Sequence, residues 1–411
     1  MNIKIVIGAN FGDEGKGLMT DYFSSKTRIG IMSRDSIVVR FNGGAQAGHT
    51  VVTPDGKRHI FNHFGSGTLA ELPTYLSKHF IVNPIVFKRE HAELKSLGCL
   101  PITYVDSACL VTTPFDILIN QIVESYRGDK KHGSCGLGIN ETIKRSDGLQ
   151  ELNVSDFNDL DFVRKTLTRI RDIYVPTRLK DLGIDIIDVD IEMIRIINSS
   201  YLIDNYINDI KFFMENTYCV ESDFLKSYDD VIFEGAQGLL LDQNHDYFPH
   251  VTPSNTGLKN IVEILNEIGL THEDIEVTYV TRCYMTRHGA GPLESELENK
   301  PYANIIDMTN IPNPYQGTLR FGWLDIDLLQ KSIYNDLKYF NAECIKCQQS
   351  LAITCLDQVQ GEKFEYSIDH AYFTAETEEE LISEIWGAIP SHIYLSHGST
   401  RNDIQDVIED V

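Results

Sequence analysis

Gly8-Ala-Asn-Phe-Gly-Asp-Glu-Gly-Lys-Gly17 lies between an apolar run at 3–7 and a segment, 18–23, with the composition of a helix. A strand feeding a glycine-rich turn that opens a helix aims backbone N–H groups, backed by the helix dipole, at an anion. Phosphate is the expected guest. The turn is not G-x-x-x-x-G-K-[ST], because Asn10 stands where that pattern needs glycine and Gly17 where it needs a hydroxyl. Nor do Gly12, Gly15 and Gly17 give G-x-G-x-x-G. What sets the turn apart is the acidic pair Asp13 and Glu14 beside Lys16. A carboxylate among phosphate-binding amides repels the phosphates unless a divalent cation lies between them or the carboxylate works on a second substrate. The plainer alternative is that Asp13 caps the helix beginning near Glu14.

The same punctuation recurs along the chain. β-Branched runs at 37–41, 231–233, 277–280, 351–354 and 393–395 are each followed at once by a glycine or polar cluster. With helical segments between them, they predict an α/β fold with a central, mostly parallel sheet and glycine-rich loops at its carboxyl edge. One site can then collect residues from the whole chain. Thr113 before Pro114 reads as a helix N-cap with proline in the first turn, and 150–230 as amphipathic helices whose acidic positions face water.

The sequence has 411 residues, 42% of them apolar, which suits one large domain or two smaller ones; we read a single domain over 1–411. A formal net charge of −24 argues against a surface that coats nucleic acid. No run approaches the roughly 20 apolar residues of a membrane span and no signal-peptide pattern precedes the first strand, so a cytoplasmic protein is expected. The eight cysteines are scattered rather than arranged as a disulfide framework, and the Cys344/Cys347 pair lacks the second half of a zinc site.

Single residues are readable in two ways. His49, after the glycine loop 43–48, either packs or polarises an oxygen. The Gln237 amide can both donate and accept, as a purine edge requires, or simply sit in a turn. Thr252 and Ser254 suit a phosphate or a helix cap. Arg282, Arg287 and Arg320 are the local cations for anionic groups, or members of surface ion pairs. Cys135 has no cue for a low-pKa thiolate, which favours packing over nucleophilic attack.

Taken in order, Gly12-Asp-Glu-Gly-Lys-Gly17, Gly43-Gly44 with Ala47-Gly-His-Thr50, and Phe233-Glu-Gly-Ala-Gln-Gly238 with Leu240-Leu-Asp242 resemble adenylosuccinate synthetase. So do Val251-Thr252 with Ser254-Asn-Thr256, Thr286-Arg-His-Gly-Ala-Gly-Pro292, Arg320-Phe-Gly-Trp323, Leu356-Asp357 and Ser396-x-Gly398. The resemblance implies a homodimeric ligase of purine biosynthesis that joins L-aspartate to C6 of IMP with GTP and Mg²⁺. The route runs through a 6-phosphoryl purine and gives adenylosuccinate. It implies that Asp13 removes the N1 proton so that the C6 oxygen attacks the γ-phosphate, and that His49 stabilises that oxygen and the moving phosphoryl group. Mg²⁺ falls to Asp13 and the carbonyl of Gly48. The triphosphate falls to Glu14, Gly15, Lys16, Gly17, Gly48, His49 and Thr50, and its guanine to Asp357, Ser396 and Gly398. The monophosphate falls to Asp13, Gln46, Ser134, Cys135, Gln237, Thr252 and His288, with Arg145 as the arginine that crosses the dimer; Arg320 is implied for aspartate.

Some positions depart from the family pattern. Leu137 replaces an arginine and Cys135 a threonine in the loop 133–138, Gln46 replaces an asparagine, and Cys355 replaces the lysine before Asp357. The arginine-rich aspartate loop shrinks to Tyr315-Gln-Gly-Thr-Leu-Arg320. Two alternatives stay in view. One is a ligase acting on GMP or dGMP, with ATP, that gives a 2-aminoadenylosuccinate; the other is an inactive nucleotide-binding sensor, which would need neither Asp13 nor His49.

Overall fold

Asn2–Gly8 is the strand around which the sheet is assembled. The computed structural model describes residues 1–26, 36–128, 134–148, 150–306, 318–385 and 392–407. Asn2–Gly8 pairs in parallel with Asp230–Gly238 on one side and Asp274–Arg282 on the other, so that Ile5 lies opposite both Phe233 and Val277. Its residues from Ile5 onward are buried without alternation, as expected of a parallel strand covered on both faces.

The ten strands run, edge to edge, Ile404–Val407, His392–Ser396, Gln348–Thr354, Asp274–Arg282, Asn2–Gly8, Asp230–Gly238, Ser36–Arg40, Thr74–Leu76, Thr103–Val105, Tyr218–Cys219. Only the first pair is antiparallel. Each β-branched run of the sequence lies within or overlaps one of these strands, and the clusters after them all leave from one edge. Neighbours in the sheet are far apart in the chain, which is how that edge gathers residues from 10 to 400.

Both faces are filled. On one, Val6, Val38, Ile232 and Val280 pack beneath Met19, Tyr22 and Phe23 of the helix Lys16–Lys26. On the other, Ile5, Ile7, Phe233 and Val277 meet Ile261 and Ile264 of Lys259–Ile268 and Leu329 and Ile333 of Ile326–Ala342. Each such side chain contributes roughly 1.5–3 kcal/mol by leaving water. A separate apolar cluster joins Phe87, Ile119, Leu167, Ile207 and Phe213, from helices between 84 and 215, and accounts for the amphipathic pattern at 150–230. Thr113 caps Pro114–Arg127 as expected: its hydroxyl accepts from Asp116 N–H at 3.3 Å while Asp116 accepts from Thr113 N–H at 2.7 Å. No helix among the described residues is long and apolar enough to cross a membrane.

Candidate active site

The turn after the first strand is held by its own side chains. Glu14 is buried and folds back: one oxygen accepts from the N–H groups of Asn10 at 3.0 Å and Gly12 at 2.7 Å, the other from Lys16 Nζ at 3.0 Å. A built-in carboxylate thus sits on amides of the kind that cradle phosphate. The Glu14 side chain is therefore spent on its own loop, which leaves its backbone N–H as its means of meeting a triphosphate. Asp13 takes the left-handed conformation (φ 63°) that an Asp tolerates in a turn, and Arg282 Nε donates to its carbonyl at 2.6 Å. Its side chain, 30% exposed, reaches outward, with His288 Nε2 at 3.6 Å from Oδ2. Asp13 is not the cap of the helix; the loop's internal anion is Glu14.

His49 begins the hairpin strand His49–Val52, with its ring buried. Nδ1 lies 2.6 Å from Glu234, in the strand Asp230–Gly238. Glu234 has no exposure and also accepts from Ser66 N–H at 2.9 Å and from the Ser66 hydroxyl. Burial alone would raise its pKa, but His49, Arg40 and Ser66 together hold it down at about 2. With an ionised carboxylate behind Nδ1, that nitrogen carries the proton and Nε2 is the ring atom left for chemistry. Burial lowers the pKa of His49 while Glu234 opposes the shift. Glu234 lies within a quoted motif, yet nothing in the sequence ties it to a histidine 185 positions away.

Close backbone contacts bring the loops together. A Cβ on Gly238 would meet Asn10 O at 2.2 Å and one on Gly17 would meet the His49 Cβ at 3.0 Å, so these glycines permit the approach of Gln237 and His49 to the turn. Gln237 itself has φ 65°. Asn42 fastens the second loop, donating to Ala236 O at 3.0 Å and Asn255 O at 3.1 Å. Gly43 N–H donates to Ser254 Oγ at 3.3 Å, which joins that loop to the half-buried turn of Thr252. A Cβ on Gly44 would meet Ile139 Cδ1 at 2.8 Å, so the segment 134–139 lies alongside, with Ser134 Oγ accepting from Asn120 Nδ2 at 3.0 Å. Burial pushes the Cys135 thiol up, as its packing role predicts. Gln46 is notable because both atoms of its amide are buried without a partner. An unmet amide costs roughly 1–3 kcal/mol until something supplies its donors and acceptors.

Further along the edge, Thr354 Oγ1 donates to Glu14 O at 2.7 Å, so the strand Gln348–Thr354 ends against the first turn. Cys355 (φ 65°) then swings Asp357 into the lining of a separate cavity. Ser396 ends the neighbouring strand His392–Ser396 and Gly398 lies just beyond it, with the Ser396 hydroxyl donating to Gly398 O at 2.9 Å.

Three arginines are held by groups of their own chain. Arg145 is fully buried, with Nε at 2.9 Å from Asp116 Oδ1 and its other nitrogens donating to Val111 O at 2.7 Å and to Gln150 O. All three of its nitrogens are therefore held within its own chain. Arg287 lies 4.4 Å from the Phe11 ring centroid and donates to Pro292 O, His250 O and Ala290 O, bracing a turn rather than facing an anion. Arg320 forks onto Glu296, with Nε at 2.6 Å, while Nη1 donates to Gly289 O at 3.0 Å and Gly291 O at 2.9 Å. Its donors are thus taken up within the chain, although the pair with Glu296 is half-exposed. Residues 132–133 and 315–317 lie outside the described residues.

Among the described residues no three or more His, Cys, Asp or Glu side chains gather as a metal site. Asp13 and the exposed Gly48 offer a carboxylate and a carbonyl, both hard oxygen donors. Such a sparse protein set suits Mg²⁺, which keeps waters and phosphate oxygens as its remaining ligands.

A sequence model of the adenylosuccinate synthetase family matches residues 5–381. The adenylosuccinate synthetase of Mesoplasma florum is 31% identical over 341 residues, 81% of this chain and 74% of the relative. That of Borrelia duttonii is 28% identical over 381 residues, 89% of this chain and 82% of the relative. Among solved structures, fully ligated adenylosuccinate synthetase from Plasmodium falciparum superposes with TM-score 0.72 at 18% identity, over 98% of this chain and 99% of that one. Cyanophage S-2L succinoaminodeoxyadenylate synthetase, bound to dGMP and dATP, superposes with TM-score 0.60 at 14% identity, over 98% and 95%.

Proposed function

The chain belongs to the adenylosuccinate synthetase family, and from that premise we propose that it joins L-aspartate to C6 of IMP at the expense of GTP, as a single ligase unit over 1–411. The observation that carries this reading is the His49–Glu234 pair buried beside the turn that projects Asp13. Asp13 takes the N1 proton of the purine, which turns the C6 oxygen into a nucleophile toward the γ-phosphate. A buried carboxylate behind Nδ1 fixes the His49 ring, and an anionic phosphoryl group in front of Nε2 supplies the field that favours its protonation. The amine of aspartate then displaces phosphate from C6. Asp13 and the Gly48 carbonyl would hold Mg²⁺, which supplies charge neutralisation for phosphoryl transfer when bound.

The unmet amide of Gln46, with Gln237 and Thr252, supports a monophosphate site against the loop 43–48, and Ser134, Cys135 and His288 border it. The backbone of Gly15 and Gly17 with Lys16 and Thr50 serves the triphosphate, and Asp357 with Ser396 and Gly398 its base. A cytoplasmic homodimer fits the family, and Arg145, held here by Asp116, would have to leave that carboxylate to reach across it. The cyanophage enzyme's dGMP and dATP name the competing substrates. A phosphate-release assay with aspartate, crossing IMP, GMP and dGMP with GTP, ATP and dATP, decides. IMP with GTP is expected to lead every other pair by about tenfold or more in kcat/KM, because an unpaired 2-amino group in a site built for IMP costs roughly 1–3 kcal/mol. A lead for GMP or dGMP overturns the acceptor, and no phosphate release with any pair overturns the activity.

A further inference from the structure

The turn that projects Asp13 is gripped from the two strand ends beside it. Arg282 and Thr354 lie opposite one another where Asp274–Arg282 pairs with Gln348–Thr354, and they hold consecutive carbonyls of the turn. Arg282 Nε donates to Asp13 O at 2.6 Å, and Thr354 Oγ1 to Glu14 O at 2.7 Å. Asp13 has φ 63°, which a residue other than glycine keeps only where its surroundings impose it. A charged donor on the Asp13 carbonyl fixes the peptide plane that follows, and with it the direction in which the carboxylate leaves the turn.

Arg282 is held in its turn. It is buried, and its Nη1 donates at 3.0 Å to the hydroxyl of Tyr284, which is buried as well. That hydroxyl donates to Gln358 Oε1 at 2.6 Å, and Gln358 lies in the short helical turn Leu356–Val359 that also carries Asp357. Burial pushes the Tyr284 phenol up, so the hydroxyl keeps the proton it donates. A guanidinium on the phenol oxygen polarises the O–H that Gln358 receives, and the two bonds strengthen one another. Between them, Cys283 ties the backbones, its N–H donating to Thr354 O at 3.2 Å and its Sγ to Cys355 O at 3.4 Å.

We propose that Arg282 is a positioning residue for Asp13, and that Tyr284 and Gln358 set its guanidinium against the turn and tie it to the loop of Asp357. This rests on reading Asp13 as the base that takes the N1 proton. Arg282 acts through the backbone of Asp13 and takes no part in the phosphoryl transfer itself. A carboxylate misdirected by about 1 Å leaves the substrates bound but meets the N1 proton in fewer encounters, so the loss falls on kcat rather than on KM.

The test separates kcat from KM and watches the turn directly. Both constants are measured with IMP, GTP and aspartate in Arg282→Met, Tyr284→Phe and Gln358→Met. Hydrogen–deuterium exchange is followed by mass spectrometry in peptides covering 9–17 and, as a control, in the helix Pro114–Arg127. Arg282→Met is expected to lower kcat about 30- to 100-fold, Tyr284→Phe about five- to tenfold and Gln358→Met about two- to threefold, with every KM within about threefold. Exchange over 9–17 is expected to rise at least about threefold in Arg282→Met and Tyr284→Phe and to stay unchanged in the control helix. Placed on Asp13→Asn, Arg282→Met should add less than about a twofold loss, because the carboxylate that it aims is gone. A wild-type kcat in folded Arg282→Met, a loss carried by KM instead, or an undiminished loss on Asp13→Asn overturns the proposal; if that variant fails to fold, a wild-type kcat in Tyr284→Phe does. The reading of Asp13 as the base fails on a different result, Asp13→Asn alone keeping a tenth of the rate. Should no pair of substrates turn over, exchange over 9–17 still decides: a rise in Tyr284→Phe supports the hold on the turn, and wild-type exchange overturns it.

Discussion

The carboxyl edge of the sheet has an inner and an outer part, built differently. Inside, around the first turn and the start of the hairpin of His49, the buried charged groups are tied: Glu14 to two amides and Lys16, His49 to Glu234, Glu234 to Ser66. Outside, Arg320 and Glu296, or His397 and Glu378, form pairs in which each side chain is a quarter to two-fifths exposed. Buried, fully partnered charges hold a fixed geometry, whereas half-exposed pairs are worth about 0–1 kcal/mol and change partners readily. The inner part thus suits chemistry that must not vary. The outer part suits recognition that does, and Cys355 and Arg320, at or beside departures from the family pattern, lie there.

The contrast can be broken from the inside first. Asp13→Asn keeps the shape of the turn but can neither take the N1 proton nor ligate Mg²⁺ well, so steady-state phosphate release should fall at least about 10²–10⁴-fold. A variant keeping a tenth of the rate would make Asp13 a turn residue only. Next, Glu234→Gln should lower kcat about 10²-fold with little change in KM for IMP or GTP, because the ring is bound in place yet loses the carboxylate that orients and charges it. Pairing it with His49→Asn should add little further loss; additive losses would mean that the two residues act separately.

The outer part should yield less. Asp357→Asn is expected to lower kcat/KM for GTP about tenfold, near 1.4 kcal/mol, and to leave ATP almost unchanged, which a competition assay with both triphosphates would read directly. Equal losses for both would mean that Asp357 does not touch the base. Smallest of all, Arg320→Ala should raise KM for aspartate no more than about fivefold, in line with an exposed ion pair. A hundredfold rise would put the guanidinium on the substrate carboxylate.

The same division explains what the sequence made legible. The strands at 3–7, 231–233 and 277–280, the glycine turns after them and the Thr113 cap are local signals, decided by residues within a few positions of one another. Side-chain allegiance is not local. Glu234 belongs to His49 and Arg282 to the carbonyl of Asp13 only because distant strands lie side by side. A carboxylate in an anion-binding turn looks like a ligand, and only the folded chain shows that the Glu14 side chain is claimed by its own amides. The burial of Arg145 against Asp116 likewise shows only in three dimensions.

The central place of Asn2–Gly8 has a consequence for how the chain acquires its shape. Its two neighbours in the sheet come from 230–238 and 274–282, so the first strand made stays unpaired until more than 200 further residues have followed it. During synthesis at about 5–20 residues per second, a run as apolar as Ile3–Ile7 waits many seconds without a strand on either side. Loop closure over more than 200 residues also makes the pairing slow, as for any sheet of high contact order. The helices between 84 and 215 have their own apolar cluster and can collapse first, leaving the nucleotide turn to form when the later strands arrive. Refolding followed by far-ultraviolet circular dichroism should therefore run ahead of the recovery of nucleotide binding.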